Sequence, residues 1–411
     1  MTLEELTNSL LRAYYDARKH KRNKNSQLQF EENFEENIVH LAFEIFHDRY
    51  TLQPSTCFMV TNPVKREVFA AEFRDRIIHH FIYTAISPMF ERTFIEDCYS
   101  CRTGKGTLYG ARRLHQHIKT VSKNFTEEAY ILKLDLQGYF MSIDRHLLYQ
   151  KVIETMTKFR RRKAPCGKKW EERIDYPLMQ KLLKQVIYNN PTQDCVMRGK
   201  PSQWNDLPLN KTLFGTGEGC GLPIGNLTSQ LFSNIYLSDF DNYCKRDLAL
   251  KHYGRYVDDF YILHTNKSHL LQLVDTIRVK LKDELLLTLH PKKIYLQSIY
   301  KGVTFLGFRI KGANFMIGRR QKVGLKQAVH QYNNCRQQKA EHKLMKFNVQ
   351  INSYLGGMVH TSSYRFRKRW IDKINVKSMH YIAVNSNYTK IKSRHHFAKP
   401  RITSIEDDFM C

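Results

Sequence analysis

The chain has 411 residues, of which 42% are hydrophobic, 12% aromatic and 26% charged. This is a globular composition, which excludes a collagenous or wholly disordered protein and suffices for two or three packed units around one site. Lys and Arg number 66 against 39 acids, a net charge of +27, and a surplus that large points to an extended polyanion, nucleic acid first. Residues 291–411 hold 24 Lys and Arg against five acids, so 19 of the 27 charges lie in that last stretch. No apolar run approaches the roughly 20 residues that span a bilayer, and MTLEELTNSLLRAYYDARKH lacks the apolar core of a secretion signal. Nine cysteines at irregular positions fit reduced thiols, so the expectation is a cytoplasmic protein with no membrane association.

Residues 1–50 alternate apolar and charged positions at helical spacing around Asn23-Lys24-Asn25-Ser26, which predicts two opening helices. TCFMVTNPVKREVFAA then reads as a hairpin exposing Lys65 and Arg66 near its turn, followed by the helix DRIIHHFIYTAISPMFER. Cys98 and Cys101 in DCYSCRTGKG have the spacing of a zinc knuckle, but no second pair matches it, so core thiols are the favoured reading and metal binding is left open. YILKLDL at 130–136 is too short for a helix and reads as a buried strand with Asp135 near its end. Residues 158–169 carry seven Lys and Arg and no acid, Arg160, Arg161 and Arg162 among them, and open a loop-rich insertion reaching Gly221. A Gly-rich loop at 219–221 leads into the long helix NLTSQLFSNIYLSDFDNYCKRDL. GRYVDDFYILH reads as a hairpin, followed by a helix to about 285, short strands around KKIYLQ and GVTFLGFRI, and a basic helix from about 323.

Asp258 and Asp259 sit between apolar runs at the expected hairpin turn, a costly place for two like charges unless a cation compensates. As a bare dipeptide Asp-Asp is usually a solvated turn, but Asp135 also closes a short apolar strand. Three carboxylates at adjacent strand ends would make a hard-oxygen site for a pair of divalent ions, and hence for phosphoryl transfer.

LKLDLQGYFMSID around Asp135, GLPIGNLTSQLFSNIYL from Gly221 and RYVDDF around Asp258 resemble, in order and spacing, the palm motifs A, B and C of reverse transcriptases. KREVFAAEFRDRIIHHFI resembles the fingers motifs of the bacterial branch, HPKK at 290–293 the motif D lysine region, GVTFLGF at 302–308 the primer grip, and SYLGGMVHTSSYRFRKR the thumb. IGNLTSQ at Ile224–Gln230 looks like the signature of diversity-generating retroelement reverse transcriptases, most of which have Gln at the Ile224 position and Pro at the Gln230 position. The resemblance implies an α+β right-hand polymerase fold: N-terminal helices and fingers at 1–129, a palm with an antiparallel sheet at 130–310 interrupted by a basic insertion at about 157–215, and a basic helical thumb and C-terminal region at 311–411.

By the same resemblance Asp135, Asp258 and Asp259 are catalytic and, with the backbone of Leu136, hold two Mg²⁺ ions, with Mn²⁺ as a substitute. Lys293 would protonate the leaving pyrophosphate, although Lys292 beside it leaves that assignment open. Lys65 and Arg66 would hold the triphosphate, Phe140 would exclude a 2′-hydroxyl, and Ile224 and Gly225 would line the nucleotide site. Ile224, which can form no side-chain hydrogen bond, and Gln230 would set fidelity, with errors concentrated at template adenines. Phe305, Leu306 and Gly307 would form the primer grip, and Arg160, Arg161, Arg162, Arg365, Arg367, Lys368 and Arg369 would contact nucleic acid. The implied partners are a template-repeat RNA, primer and cDNA, dNTPs, and a pentameric accessory variability determinant protein, in a bacterial or phage-encoded system for mutagenic retrohoming. The alternatives are a group II intron-like, retron or abortive-infection reverse transcriptase, a non-catalytic nucleic-acid-binding protein on the same fold, and a two-metal nuclease.

Overall fold

Apolar spacing lays down the helices first. In α1 (Leu3–Arg18) Leu6, Leu10, Ala13, Tyr14 and Ala17 share a buried face, and Thr2 and Glu5 close a reciprocal capping box over the first amides. The computed structural model describes residues 1–19, 24–61, 64–335, 341–375 and 381–394. Next come α2 (Asn25–Glu32) and α3 (Phe34–Phe46). Three helices therefore open the chain where two were expected, because Asn33 leaves the helical region (φ −132°, ψ 52°) and breaks a stretch of continuous apolar periodicity. The hairpin β1 (Thr56–Val60) and β2 (Arg66–Ala70) precedes α4 (Phe73–Phe90), which packs against α1.

The middle of the chain runs through α5 (Thr107–Val121), β3 (Tyr130–Asp135), the one-turn α6 (Tyr139–Ser142), α7 (Arg145–Phe159), α8 (Tyr176–Tyr188), β4 (Val196–Arg198) and α9 (Leu227–Arg246). It continues with β5 (Tyr253–Tyr256), β6 (Asp259–His264), α10 (Lys267–Leu285) and β7 (Tyr295–Ser298). The chain divides into two compact units, one of Met1–Gly110 with Ile131–Leu296 and one of Ala111–Tyr130 with the residues from Gln297 on. These units cut the chain differently from the three segments expected from sequence.

In the first unit a four-stranded sheet has the order β5-β6-β3-β7, and its edge strand β7 carries the chain out of the unit. Phe260, Tyr261, Ile262 and Leu263 of β6 are all buried, as a central strand covered on both faces requires. A second sheet pairs β1 antiparallel to β2 and parallel to β4. The insertion thus supplies a strand to the fingers-like hairpin. It is also less loop-rich than its composition suggested: Trp170 is fully buried, and α8 buries Met179, Leu182, Leu183, Val186 and Ile187 against α7. The helices α4 and α9 meet through apolar contacts and through His79 Nδ1, 2.8 Å from the Thr228 hydroxyl.

The second unit holds a meander of β8 (Val303–Phe305), β9 (Phe308–Lys311) and β10 (Asn314–Ile317). GVTFLGFRI, expected as one strand, is split into β8 and β9 because Leu306 and Gly307 both adopt positive φ (49° and 85°). His115 stacks on Phe315, which stacks on Phe308. Then come α11 (Arg319–Asn333), α12 (Glu341–Met358), α13 (Tyr364–Ile371) and the hairpin β11 (Ile382–Val384) and β12 (Ile391–Ser393). Tyr332 of α11 stacks on Phe347 of α12 at 3.9 Å between ring centroids.

Arg367 corrects an expectation. It is 5% exposed and donates to the Met358 carbonyl (3.0 Å), the Ser363 hydroxyl (3.1 Å) and the Asn387 carbonyl (3.1 Å), so it ties the unit together internally and cannot reach a phosphate. Arg365, Lys368 and Arg369 are exposed, as are Arg160, Arg161 and Arg162 of the insertion. The basic stretch after residue 394 lies outside the described residues.

Candidate active site

The strand ends gather the acids. β5 and β6 pair with Tyr256 opposite Asp259, leaving Val257 and Asp258 as a two-residue turn. The Leu136 amide, just past β3, donates to the Asp258 carbonyl at 3.3 Å and fixes Asp135 beside that turn. The next segment closes over the same place, since the His290 amide donates to the Asp135 carbonyl (2.8 Å) and the Gln137 amide to the Thr288 carbonyl (2.9 Å).

Burial, then the charge of Asp135, raise the Asp258 carboxyl from its ordinary value to about 6. Asp259 is raised by burial and by Asp135, against the pull of Lys133, whose Nζ is 3.6 Å from its carboxylate. Lys293 Nζ lies 2.9 Å from Asp135 Oδ1. No such contact is formed by Lys292, so the geometry separates two lysines that sequence left ambiguous. Among the described residues no group of three or more His, Cys, Asp or Glu side chains is closed on a common point that could hold a metal ion. The donor set is nonetheless all hard oxygen, and its mutual repulsion is what a divalent cation relieves, so Asp135, Asp258 and Asp259 fit such an ion by chemistry while lysines partly neutralise them here.

The turn is strained. Val257 has φ 58°, a left-handed conformation that costs a β-branched residue on the order of 1–2 kcal/mol. Behind it, fully buried Arg255 forks onto Asp241 of α9, Nε to Oδ1 at 2.8 Å and Nη2 to Oδ2 at 2.6 Å. Tyr253 donates to the same carboxylate at 2.6 Å. Gly254 between them is obligatory, since a Cβ would fall 2.4 Å from the Tyr99 hydroxyl and 2.7 Å from that of Tyr261, which hydrogen-bond each other at 2.8 Å. Sequence reasoning missed Arg255 and Asp241. The available signal was one arginine in the aromatic stretch HYGRYV and two acids, Asp239 and Asp241, two positions apart in NIYLSDFDNY, a pattern that does not say which of the two faces the core.

A second cluster is built on β2. The Phe69 amide of β2 donates to the Ile224 carbonyl at 2.8 Å, and Gly225 (φ 136°) lies so close that a Cβ would sit 2.5 Å from the Phe69 carbonyl oxygen. Ile224 and Phe140, both half-buried, pack against Cys57, Phe69, Met141 and Leu213, together with Trp204. Glu67 of β2, 1% exposed, anchors the insertion by accepting from Trp204 Nε1 (2.8 Å), the Thr212 hydroxyl (2.9 Å) and the Leu213 amide (2.7 Å). Lys65 Nζ donates to the Asn205 carbonyl, and exposed Arg66 is close enough to Tyr256 to oppose the rise of its phenol. Gln230 is exposed on the first turn of α9, outside this cluster. Phe305, Leu306 and Gly307 form the β8–β9 turn of the second unit, with Phe305 buried.

Strand-end carboxylates on an antiparallel sheet, flanked by helices and a basic hairpin, define an α+β polymerase fold of the right-hand class. The chain belongs to the reverse transcriptase (RNA-dependent DNA polymerase) family, whose sequence pattern matches residues 65–310. Among solved structures it is similar to a telomerase from Candida albicans in complex with a fragment of telomeric RNA, at 11% identity and a TM-score of 0.45, covering 85% of this chain and 65% of that one. It is also similar to the apo telomerase from Candida tropicalis, at 13% identity and a TM-score of 0.47 over 79% of this chain and 56% of that one. A form of the latter truncated from its C-terminal domain gives 12% identity and a TM-score of 0.45, over 68% and 59%. The chain therefore spans somewhat less than two thirds of these structures. No curated protein matches it significantly.

Proposed function

We propose that the protein is an RNA-directed DNA polymerase of a diversity-generating retroelement, copying a template-repeat RNA into adenine-mutagenised cDNA for mutagenic retrohoming. The observation that carries the polymerase reading is the placement of Asp135 beside the Val257–Asp258 turn by the Leu136 amide, which donates to the Asp258 carbonyl at 3.3 Å; there the charge of Asp135 adds to burial in raising the carboxyls of Asp258 and Asp259. Two Mg²⁺ ions bound there, or Mn²⁺ in their place, would activate the primer 3′-hydroxyl and stabilise the departing pyrophosphate. Lys293, already beside Asp135, is within reach to give a proton to that leaving group. Lys65 exchanges a neutral carbonyl partner for the triphosphate, a stronger charge-assisted acceptor. Phe140, packed with Ile224 against the Phe69 cluster, would meet the sugar with its ring, and the apolar Ile224 would offer no hydrogen bond to discriminate the nascent pair.

Support for the retroelement reading comes from IGNLTSQ and from Ile224 in particular. On that reading the partners are the template-repeat RNA, its primer and cDNA, dNTPs and a pentameric accessory protein, in a bacterial or phage-encoded system. Primer extension on an RNA template with dNTPs and Mg²⁺ tests the activity, with Asp258→Ala expected to abolish it. Sequencing of the products tests the retroelement: errors concentrated at template adenines support it, and errors spread evenly over the four bases favour a group II intron-like, retron or abortive-infection enzyme.

A further inference from the structure

Neither main-chain group of Val257 is satisfied by the main chain of the hairpin it turns. Its amide donates to the Ser100 hydroxyl at 3.1 Å, and its carbonyl accepts from Arg255 Nη1 at 2.8 Å. Both partners are fully buried and fixed in turn. The Ser100 hydroxyl has one proton, which goes to Asn234 Oδ1 at 3.0 Å, so a lone pair is left facing the Val257 amide. Asn234 Nδ2 returns a bond to the Ser100 carbonyl at 2.8 Å. Arg255 is held by the Asp241 fork and touches Cys98 Sγ at 3.3 Å. The main chain completes the frame, because the Tyr99 amide donates to the Arg255 carbonyl and the Arg255 amide to the Asp97 carbonyl, each at 2.9 Å. The Cys98–Cys101 segment, whose spacing suggested a metal knuckle, thus supplies the wall behind the acidic turn: Cys98 is buried in it, and Cys98 and Cys101 are both free thiols.

Left alone, a β-branched residue with φ 58° relaxes toward negative φ, which would rotate the following peptide and with it Asp258. We propose that Ser100 is a positioning residue for Asp258, its hydroxyl pinning the Val257 amide against the Arg255–Asp241 base so that the Asp258 carboxylate stays turned toward Asp135. The proposal rests on the polymerase reading for its kinetic consequence but not for its geometry. Ser100 would touch neither nucleotide nor ion, and it would act on the chemical step rather than on nucleotide binding.

The test measures primer extension and, separately, Mn²⁺ binding to the full-length protein by titration. A displaced carboxylate predicts that Ser100→Ala lowers kcat about tenfold, leaves the dNTP KM within about twofold, and weakens Mn²⁺ binding several-fold. Ser100→Cys keeps the volume but accepts weakly, so it should fall between wild type and Ser100→Ala even where the alanine variant folds poorly. Introduced into a Val257→Gly background, where positive φ carries no penalty, Ser100→Ala should cost under about threefold. An equal cost in both backgrounds, or unaltered Mn²⁺ affinity in both Ser100 variants, overturns the proposal. A wild-type protein that extends no primer overturns the polymerase reading alone, since Mn²⁺ binding still decides the role of Ser100.

Discussion

Lys292 and Lys293 are adjacent and both exposed, yet only Lys293 meets Asp135. Replacing Lys293 with Ala should lower kcat for nucleotide addition by about 100-fold, as expected for loss of a general acid, whereas Lys292→Ala should stay within about threefold. Single-turnover extension measures both. Ile224 has its side chain in an apolar cluster but its carbonyl in the bond to Phe69, so the side chain is replaceable without breaking the loop. Ile224→Gln restores a hydrogen-bonding group and should reduce misincorporation several-fold, read by sequencing the products. Gly225→Ala should be far worse for stability, because a Cβ 2.5 Å from the Phe69 carbonyl forces the loop off β2.

At the scale of elements, the segment between α3 and β1 is pinned to α4 by Asp75, which accepts from the Tyr50 hydroxyl (2.9 Å) and the Gln53 amide (2.8 Å). Burial raises its carboxyl to about 6, against the opposing pull of those bonds. A carboxyl raised on folding favours the native state below the unfolded value near pH 4, and that contribution, about 3 kcal/mol, is lost as pH rises through about 6. Asp75→Asn keeps an acceptor for Gln53 and lets the phenol accept from the new amide. It should therefore stabilise the protein at pH 7.5 and flatten the stability profile between pH 4 and 6, measured by urea melts across that range. Helices and strands were legible because apolar spacing dictates them: α4, α9, β3 and β6 fall where the pattern puts them. The tie from Glu67 to the insertion was not legible, because its partners Trp204, Thr212 and Leu213 lie about 140 residues away and no local pattern encodes a contact at that separation. The acidic site divides in the same way. Asp135, Asp258 and Asp259 stood out as charges in apolar runs, while Ser100 gave no signal, since a buried serine and an exposed one look alike in sequence.

For the whole molecule, the charge of +27 predicts RNA affinity that falls steeply with salt. Exposed Arg365 and Arg369 should each, on replacement by Ala, weaken binding across sequences and lower the salt slope by about 1. Arg367→Ala should instead depress the melting temperature, since it empties a buried site and removes the guanidinium that bridges the Met358 and Asn387 carbonyls. Filter binding over a salt series, alongside thermal melts, distinguishes the two behaviours.

The second unit is assembled from two stretches of chain, 111–130 and the residues from 297 on, with the whole of 131–296 emerging from the ribosome between them. His115 must wait for Phe315, and the Ala129 carbonyl for the Ile299 amide. During synthesis the part of α5 from Ala111 on therefore waits nearly two hundred codons for its partners in the second unit, open to chaperones and proteases until they arrive. A nascent chain arrested near residue 300 should be clipped within 111–130, and one arrested past residue 380 should resist.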